Sequence, residues 1–188
     1  MADDHIYLVD GVIVPSVTQI LSVRFGHKYD GIDRATLRAA AQAGTAVHEA
    51  IENYCVNSEE SELPELRGFK FLKRSYGFEV FGNEVPVILD VDGEPFAAGR
   101  LDLLLREGDK IGIGDIKRTS ALDKDYLSYQ LTLYAMAFEQ SYGVKIEFLR
   151  GLHLREDVRK YVKIPFCVEL AEDLLKEYAE RKEGINNE

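Results

Sequence analysis

Two apolar stretches in the middle of the chain constrain its fold more than any other feature. Residues 99–105 read Gly-Arg-Leu-Asp-Leu-Leu-Leu and residues 111–117 read Ile-Gly-Ile-Gly-Asp-Ile-Lys, with a polar break at Glu107-Gly108-Asp109 between them. Apolar runs of this kind are typical of central strands that are covered on both faces. We therefore predict two neighbouring strands, joined by a tight turn, inside an α/β domain.

Each of these strands carries charge where burial makes charge costly. Asp102 lies on the first strand, and Asp115 and Lys117 lie on the second. Side chains at i and i+2 of a strand share a face, so Asp115 and Lys117 should project together while Ile116 points away. A D-x-K triplet is common by chance, but buried carboxylates need a cation or several hydrogen bonds. Two of them on adjacent strands predict a site for a divalent metal.

The rest of the chain supplies helices and further strands around this pair. The order helix, three strands, helix, strand predicts a single α/β domain with a central mixed sheet flanked by helices. Within residues 1–188 we expect an N-terminal hairpin and short helix at 5–25, a core at about 33–165 and a C-terminal helix at 169–183. Periodicity and turn residues predict a loop at 26–31, helices at 33–56, 65–76 and 125–142, and strands at 78–90, 95–105, 110–117, 144–153 and 160–165.

Composition excludes several classes of protein. The 188 residues are 46% hydrophobic and 30% charged, as in a globular domain. Two distant cysteines, Cys55 and Cys167, provide no disulfide framework, no four-cysteine zinc site and no iron–sulfur cluster held by this chain alone. No apolar run reaches membrane-spanning length and the first residues do not resemble a secretory signal, so we expect a cytoplasmic protein without a membrane partner.

Polar side chains on two helices are candidates for the remaining sides of the metal site. His48 lies beside the apolar positions of the long helix, where a histidine is as often a core residue as a ligand, and Glu52 follows one turn later. Tyr126, Gln130 and Tyr134 fall at i, i+4 and i+8 of a later helix. Tyrosines at this spacing are ordinarily core residues, but a glutamine between them suggests a group that holds a phosphate or a water.

Basic side chains cluster on the first two long helices, although the net charge of −10 argues weakly against a nucleic-acid partner. A solvated helix face explains any one of these residues. Their clustering makes them the best candidates for a path along a nucleic-acid backbone. The DNA-binding candidates are Arg34, Arg38, Arg67, Lys70, Lys73, Arg74, Arg100 and Arg118.

Four short motifs in a fixed order resemble the PD-(D/E)xK nuclease superfamily and, within it, the RecB-like and phage-type exonucleases, including the mitochondrial genome-maintenance exonuclease group. Residues 15–21, Pro-Ser-Val-Thr-Gln-Ile-Leu, also resemble the opening of phage exonucleases. The resemblance spans roughly residues 14–151. The motifs are Gly44-x-x-x-His48, Gly99-x-x-Asp102, Asp115-x-Lys117 and Gln130-x-x-x-Tyr134.

The resemblance implies a restriction-endonuclease-like core of order αβββαβ and a Mg²⁺- or Mn²⁺-dependent DNA exonuclease of recombination, repair or replication. It implies metal ligation by His48, Asp102, Asp115 and the Ile116 carbonyl, with Glu84 or Glu52 as an additional acidic group. It implies catalysis by Lys117 with Asp102 and Asp115, assisted by Gln130 and Tyr134. The partners implied are single- or double-stranded DNA ends and a single-strand annealing or replication protein.

One departure and several alternatives remain at this point. Many relatives read D-x-K-T-S, whereas here Arg118 separates Lys117 from Thr119, which makes Arg118 itself a candidate phosphate contact. The same site also suits a structure-selective endonuclease or a nuclease acting on RNA. A non-catalytic DNA-binding module with this fold is the alternative outside enzymes. Polarity, strand preference, processivity and oligomeric state are open.

Overall fold

A five-stranded mixed sheet organises the chain, which the computed structural model describes over residues 6–186, the side chains of residues 29 and 183–186 excepted. Neighbouring strands pair in sequence order; β5 and β6 are parallel, and the other pairs are antiparallel. A separate hairpin of β1 (Tyr7–Val9) and β2 (Val12–Val14) precedes the sheet, which contains β3 (Glu79–Val91), β4 (Glu94–Glu107), β5 (Lys110–Lys117), β6 (Phe148–Arg155) and β7 (Val158–Ile164).

Helices cover both faces of the sheet. Two of them, α2 (Arg34–Asn57) and α3 (Pro64–Tyr76), pack on one face. The other face carries α1 (Val17–Phe25), α4 (Lys124–Tyr142) and α5 (Val168–Asn186). The chain is thus one α/β domain with a central mixed sheet flanked by helices, and the predicted order αβββαβ is found from α3 onward.

The central strands are buried on both sides, as their apolar sequences predict. On one face Leu103 and Leu105 of β4 pack with Val47 and Phe69 from the two covering helices. Other β4 side chains, such as Leu101, join the core under α1, α4 and α5. A polar group on these strands therefore has little water around it unless it lies at the end of a strand.

The helix ends follow their sequence signals. Ser16 and Gln19 form a capping box at the start of α1. Asp123 caps α4 through a 3.0 Å hydrogen bond from the Tyr126 amide. Gly77 and Gly143 end α3 and α4 in the left-handed conformation, each at φ +67°.

Two local predictions are wrong. Residues 26–29 form a 3₁₀ turn rather than a loop. Strand β6 begins at Phe148, since the Ile146 amide donates to Glu139 on α4 instead of to a strand.

Residues 1–5 and 187–188, which the expected domain includes, lie outside the described residues. Within the described part, no helix combines the length and the apolar character needed to cross a membrane.

Candidate metal and catalytic centre

The candidate centre lies where β4 and β5 part. Their backbone pairing ends at Leu103 and Gly114. Beyond that point the Ile116 amide donates to Oδ2 of Asp102 at 2.7 Å, so a side-chain carboxylate takes the place of a backbone carbonyl. The divergence of the two strands therefore creates the gap in which Asp102 sits, while β5 continues along β6 to Lys117.

His48 of α2 closes one side of this gap. Its Nε2 donates to the Ile116 carbonyl at 3.1 Å, and its Nδ1 lies 3.6 Å from Oδ1 of Asp102 and 3.7 Å from Oε1 of Glu84. One ligand atom from each of His48, Glu84 and Asp102 lies within 4.8 Å of the others. Carboxylate oxygens with one imidazole nitrogen form a donor set that fits Mg²⁺ or Mn²⁺.

Glu84 reaches the cluster through an unusual backbone. It lies in β3 between Asn83 and Val85, which pair with Leu103 and Leu101 on either side of Asp102. Its φ is +49°, a value uncommon for any residue but glycine. Such a conformation costs on the order of 1–3 kcal/mol and persists only where the surroundings hold it. The sequence indicated Glu84 only as an additional acid, because strand periodicity carries no sign of a positive φ.

Asp115 and Lys117 contact each other, as the i, i+2 spacing predicts. The Lys117 Nζ lies 2.9 Å from Oδ1 of Asp115 and 2.7 Å from Oδ2. Only 3% of the Asp115 side chain is exposed, against 25% for Lys117. The ammonium group therefore forms the accessible edge of a buried ion pair.

The charges of the centre stabilise one another. Burial alone would lower the pKa of His48, but attraction to Asp102 and Glu84 raises it to about 9. Burial, together with repulsion from Asp115, raises the pKa of Asp102 to about 6. Burial would also lower the pKa of Lys117, yet Asp115 and Asp102 raise it above its ordinary value. Two cationic side chains thus face carboxylates that would otherwise repel each other.

Helix α4 carries Gln130 and Tyr134, and Tyr134 lies near Asp102 and Asp115. Gln130 is 6% exposed, and within the described part of the chain its Oε1 accepts no hydrogen bond. Burial, followed by the charges of Asp102 and Asp115, raises the pKa of Tyr134 well above its ordinary value. The tyrosine ring packs on Gly99, where a Cβ would lie 2.7 Å from Cε1 of Tyr134. Gly99 and Tyr134, which belong to two separate motifs, therefore contact each other.

Arg118, the residue directly after Lys117, is held in an ion pair. Its Nε donates to Oε1 of Glu65 at 2.8 Å, and that oxygen also accepts the Glu156 amide at 3.1 Å. Glu65 is 2% exposed at the start of α3. The Thr119 hydroxyl donates to the Ala121 carbonyl at 2.7 Å.

The other candidates are more scattered. Glu52 is half-buried, but it does not belong to the metal cluster found among the described residues. Arg34 and Arg38 are exposed on the first turns of α2. Arg100 lies 3.7 Å from Glu84 at the rim of the centre, and Arg67 hydrogen-bonds the Glu62 carbonyl. The remaining basic residues, Lys70, Lys73 and Arg74, line a common groove.

Sequence reasoning missed His153. It stands beside Lys117 in the β5–β6 register, is 3% exposed, and donates from Nε2 to the Thr119 carbonyl at 2.7 Å. It thereby fixes the segment that follows the site lysine. The only sequence signal was a histidine inside the apolar run Gly151-Leu152-His153-Leu154, which strand alternation alone does not separate from an ordinary core residue.

Comparison with known proteins concerns the fold alone. No family model and no curated protein matches the chain. Among the solved structures that match, the crystal structure of SSO0001 is 20% identical and superposes with a TM-score of 0.50. The match covers 92% of this chain and 79% of that one. An identity this low supports a shared arrangement of strands and helices and nothing about activity.

Proposed function

We propose that this chain is a metal-dependent deoxyribonuclease of the PD-(D/E)xK superfamily, acting as an exonuclease in DNA recombination, repair or replication. The observation that supports the proposal best is that the candidate side chains converge on one place. His48, Asp102 and the Asp115–Lys117 pair come from three elements and meet within one gap between β4 and β5. Tyr134 of α4 lies near enough to Asp102 and Asp115 to feel their charges.

In this proposal His48, Glu84 and Asp102 would hold the metal, with Asp115 and the Ile116 carbonyl beside them. A bound Mg²⁺ or Mn²⁺ would supply Lewis acidity for activating a water and for offsetting charge on the scissile phosphate. Lys117 donates hydrogen bonds to the attacking water and offsets negative charge as it develops on the phosphate. Asp115 keeps Lys117 protonated and fixes its direction. Gln130 offers an unpaired amide oxygen, and Tyr134 stays a protonated donor.

The deciding experiment is a digest of end-labelled DNA. Single- and double-stranded substrates, labelled at one end and then at the other, are incubated with Mg²⁺, with Mn²⁺ and with a chelator. We expect metal-dependent release of short products, and the label that is released first gives the polarity. Lys117→Ala should abolish release while leaving the fold and much of the DNA binding intact; full activity in that variant contradicts the proposal.

Two further substrates separate the alternatives. A covalently closed single-stranded circle stays whole with an exonuclease and is opened by an endonuclease. An RNA of the same sequence, if cut faster than DNA, identifies an RNA-acting enzyme. Calorimetric titration with Mg²⁺ and Mn²⁺ tests the remaining alternative, a non-catalytic DNA-binding module. That alternative predicts no metal binding, even when DNA is present.

A further inference from the structure

A basic groove lies outside the candidate centre, between the second half of α2 and the end of α3. Its volume is about 430 Å³. Aromatic side chains form a fixed wall, since Tyr54 packs edge-on against Phe69 with centroids 6.4 Å apart, and Phe69 packs in turn on Phe78 at 6.0 Å. The lining residues are Tyr54, Lys70, Lys73, Arg74, Gly77 and Phe78.

The cations of the groove differ in how they are paired. Lys70 donates to both oxygens of Glu60 at 2.6 and 2.8 Å and lies 5.1 Å from the centroid of the Tyr54 ring. Lys73 and Arg74, by contrast, form no ion pair with any residue that the structure describes. Two adjacent unpaired cations in a concave site therefore favour an anion as the occupant.

The α2 side of the groove lies toward the His48–Glu84–Asp102 cluster. Burial raises the pKa of the Cys55 thiol, and nearby Lys73 and the side chain of Asn83, the neighbour of Glu84, oppose that rise. Along α2, Tyr54 lies six residues beyond His48, a rise of about 9 Å along the helix axis, and the two side chains point about 120° apart. The groove and the centre are therefore separate sites on the same side of the sheet.

We propose that the groove between α2 and α3 binds a phosphate of the substrate strand at a distance from the bond that is cut. This inference rests on the proposed function. Lys73 and Arg74 would contact the phosphate oxygens, as lysine and arginine do in backbone binding. The bases, carried past Tyr54 and Lys70, would not be read, so the contact is independent of sequence.

The test measures binding and needs no turnover. A Lys117→Ala parent removes cleavage, and Lys73→Ala/Arg74→Ala is added to it. Fluorescence anisotropy follows a labelled single-stranded 12-mer from 50 to 300 mM salt. Each phosphate that is no longer neutralised reduces the slope of log K against log salt by about 0.7, so the loss of the one groove phosphate should reduce it by about 0.7 and weaken binding roughly fivefold at 0.1 M salt.

Matched variants separate the groove from general charge. Lys176→Ala/Lys182→Ala removes the same charge from exposed positions of α5, a helix on the other face, and should leave the slope unchanged. Lys73→Arg/Arg74→Lys keeps both charges and should bind like the parent. Thermal unfolding of each variant checks that the fold is retained.

Nucleotide ligands of different length show what occupies the groove. Unlabelled dinucleotide, too short to reach from the centre to the groove, should compete equally against parent and groove variant. Thymidine monophosphate binding that depends on Lys73 and Arg74 would instead identify a mononucleotide site and overturn the proposal. If the parent binds the 12-mer and the groove variant binds it equally well, the groove inference is wrong and the proposed nuclease stands. If the parent binds no nucleic acid, the proposed function fails with it.

Discussion

Glu84 shows how a single residue is strained to complete the centre. Its carboxylate faces His48 only because the backbone of β3 adopts a φ of +49° at that point. Asparagine tolerates this region better than alanine, because its short polar side chain can hydrogen-bond to the nearby backbone. We expect Glu84→Asn to be about 1 kcal/mol more stable than Glu84→Ala in urea unfolding, although both remove the carboxylate. Equal stability of the two variants would show that the backbone is not strained there.

His153 acts through the segment behind Lys117. Its Nε2 donates a hydrogen bond to the Thr119 carbonyl at 2.7 Å. Glutamine places an amide nitrogen at a similar reach, whereas leucine offers no donor. We expect His153→Leu to lower the free energy of unfolding by about 1–3 kcal/mol, because it leaves the carbonyl without its partner, and His153→Gln to lower it less. Urea unfolding measures both, and the same loss in both variants would assign the effect to packing.

At the scale of elements, Gly99 and Tyr134 couple β4 to α4. A methyl group at Gly99 would lie 2.7 Å from a tyrosine ring that is 7% exposed and has little room to move. We expect Gly99→Ala to lower the unfolding free energy by about 1–3 kcal/mol, as overpacking usually does. Adding Tyr134→Leu should recover part of this loss, so that the two substitutions are not additive. Additive losses in a double-mutant cycle would contradict the contact.

The Glu65–Arg118 pair ties the start of α3 to the end of β5 and should be sensitive to acid. Burial would raise the pKa of Glu65, but the Glu156 amide and Arg118 lower it below its ordinary value. Because the folded pKa is lower than the unfolded one, the ionised carboxylate stabilises the fold at neutral pH, and this contribution is lost as the pH falls through the folded pKa. We expect Glu65→Gln to be less stable than wild type at pH 7, with the difference shrinking below about pH 4. A difference that is constant with pH would contradict the ion pair.

The elements themselves were largely predictable, and the contacts between them were not. Periodicity and capping residues defined α2, α3 and α4 to within a residue or two, since these signals are local. The i, i+2 spacing placed Asp115 and Lys117 together for the same reason. The role of His153, the partner of Arg118 and the conformation of Glu84 depend on residues distant in sequence, and no local pattern encodes them.

At the scale of the whole molecule, a bound metal should stabilise the fold. His48, Glu84 and Asp102 are assembled only in the folded state, so binding raises stability by an amount set by concentration, about 2.7 kcal/mol at a hundred times the dissociation constant. We expect Mn²⁺ to raise the melting temperature of wild type and not that of Asp102→Asn. Glu52→Gln removes a carboxylate that lies on the same helix as His48 but outside the cluster. Mn²⁺ should raise its melting temperature as it raises that of wild type. Equal shifts in all three proteins would place the ion elsewhere.

The parallel pairing of β5 with β6 joins segments that are far apart in sequence, so we expect it to form late in folding. β3, β4 and β5 are joined by tight turns and need only nearby chain, whereas Lys117 meets His153 only after α4 has crossed over. Long-range pairing of this kind forms late, because the intervening chain must close first. When the nascent chain has emerged from the ribosome only as far as β5, Asp102, Asp115 and Lys117 are available to fold. At that stage α4 and β6 are not. On the proposed function, a nascent chain of this length therefore carries the catalytic side chains but lacks α4 and β6, which it needs to cleave DNA.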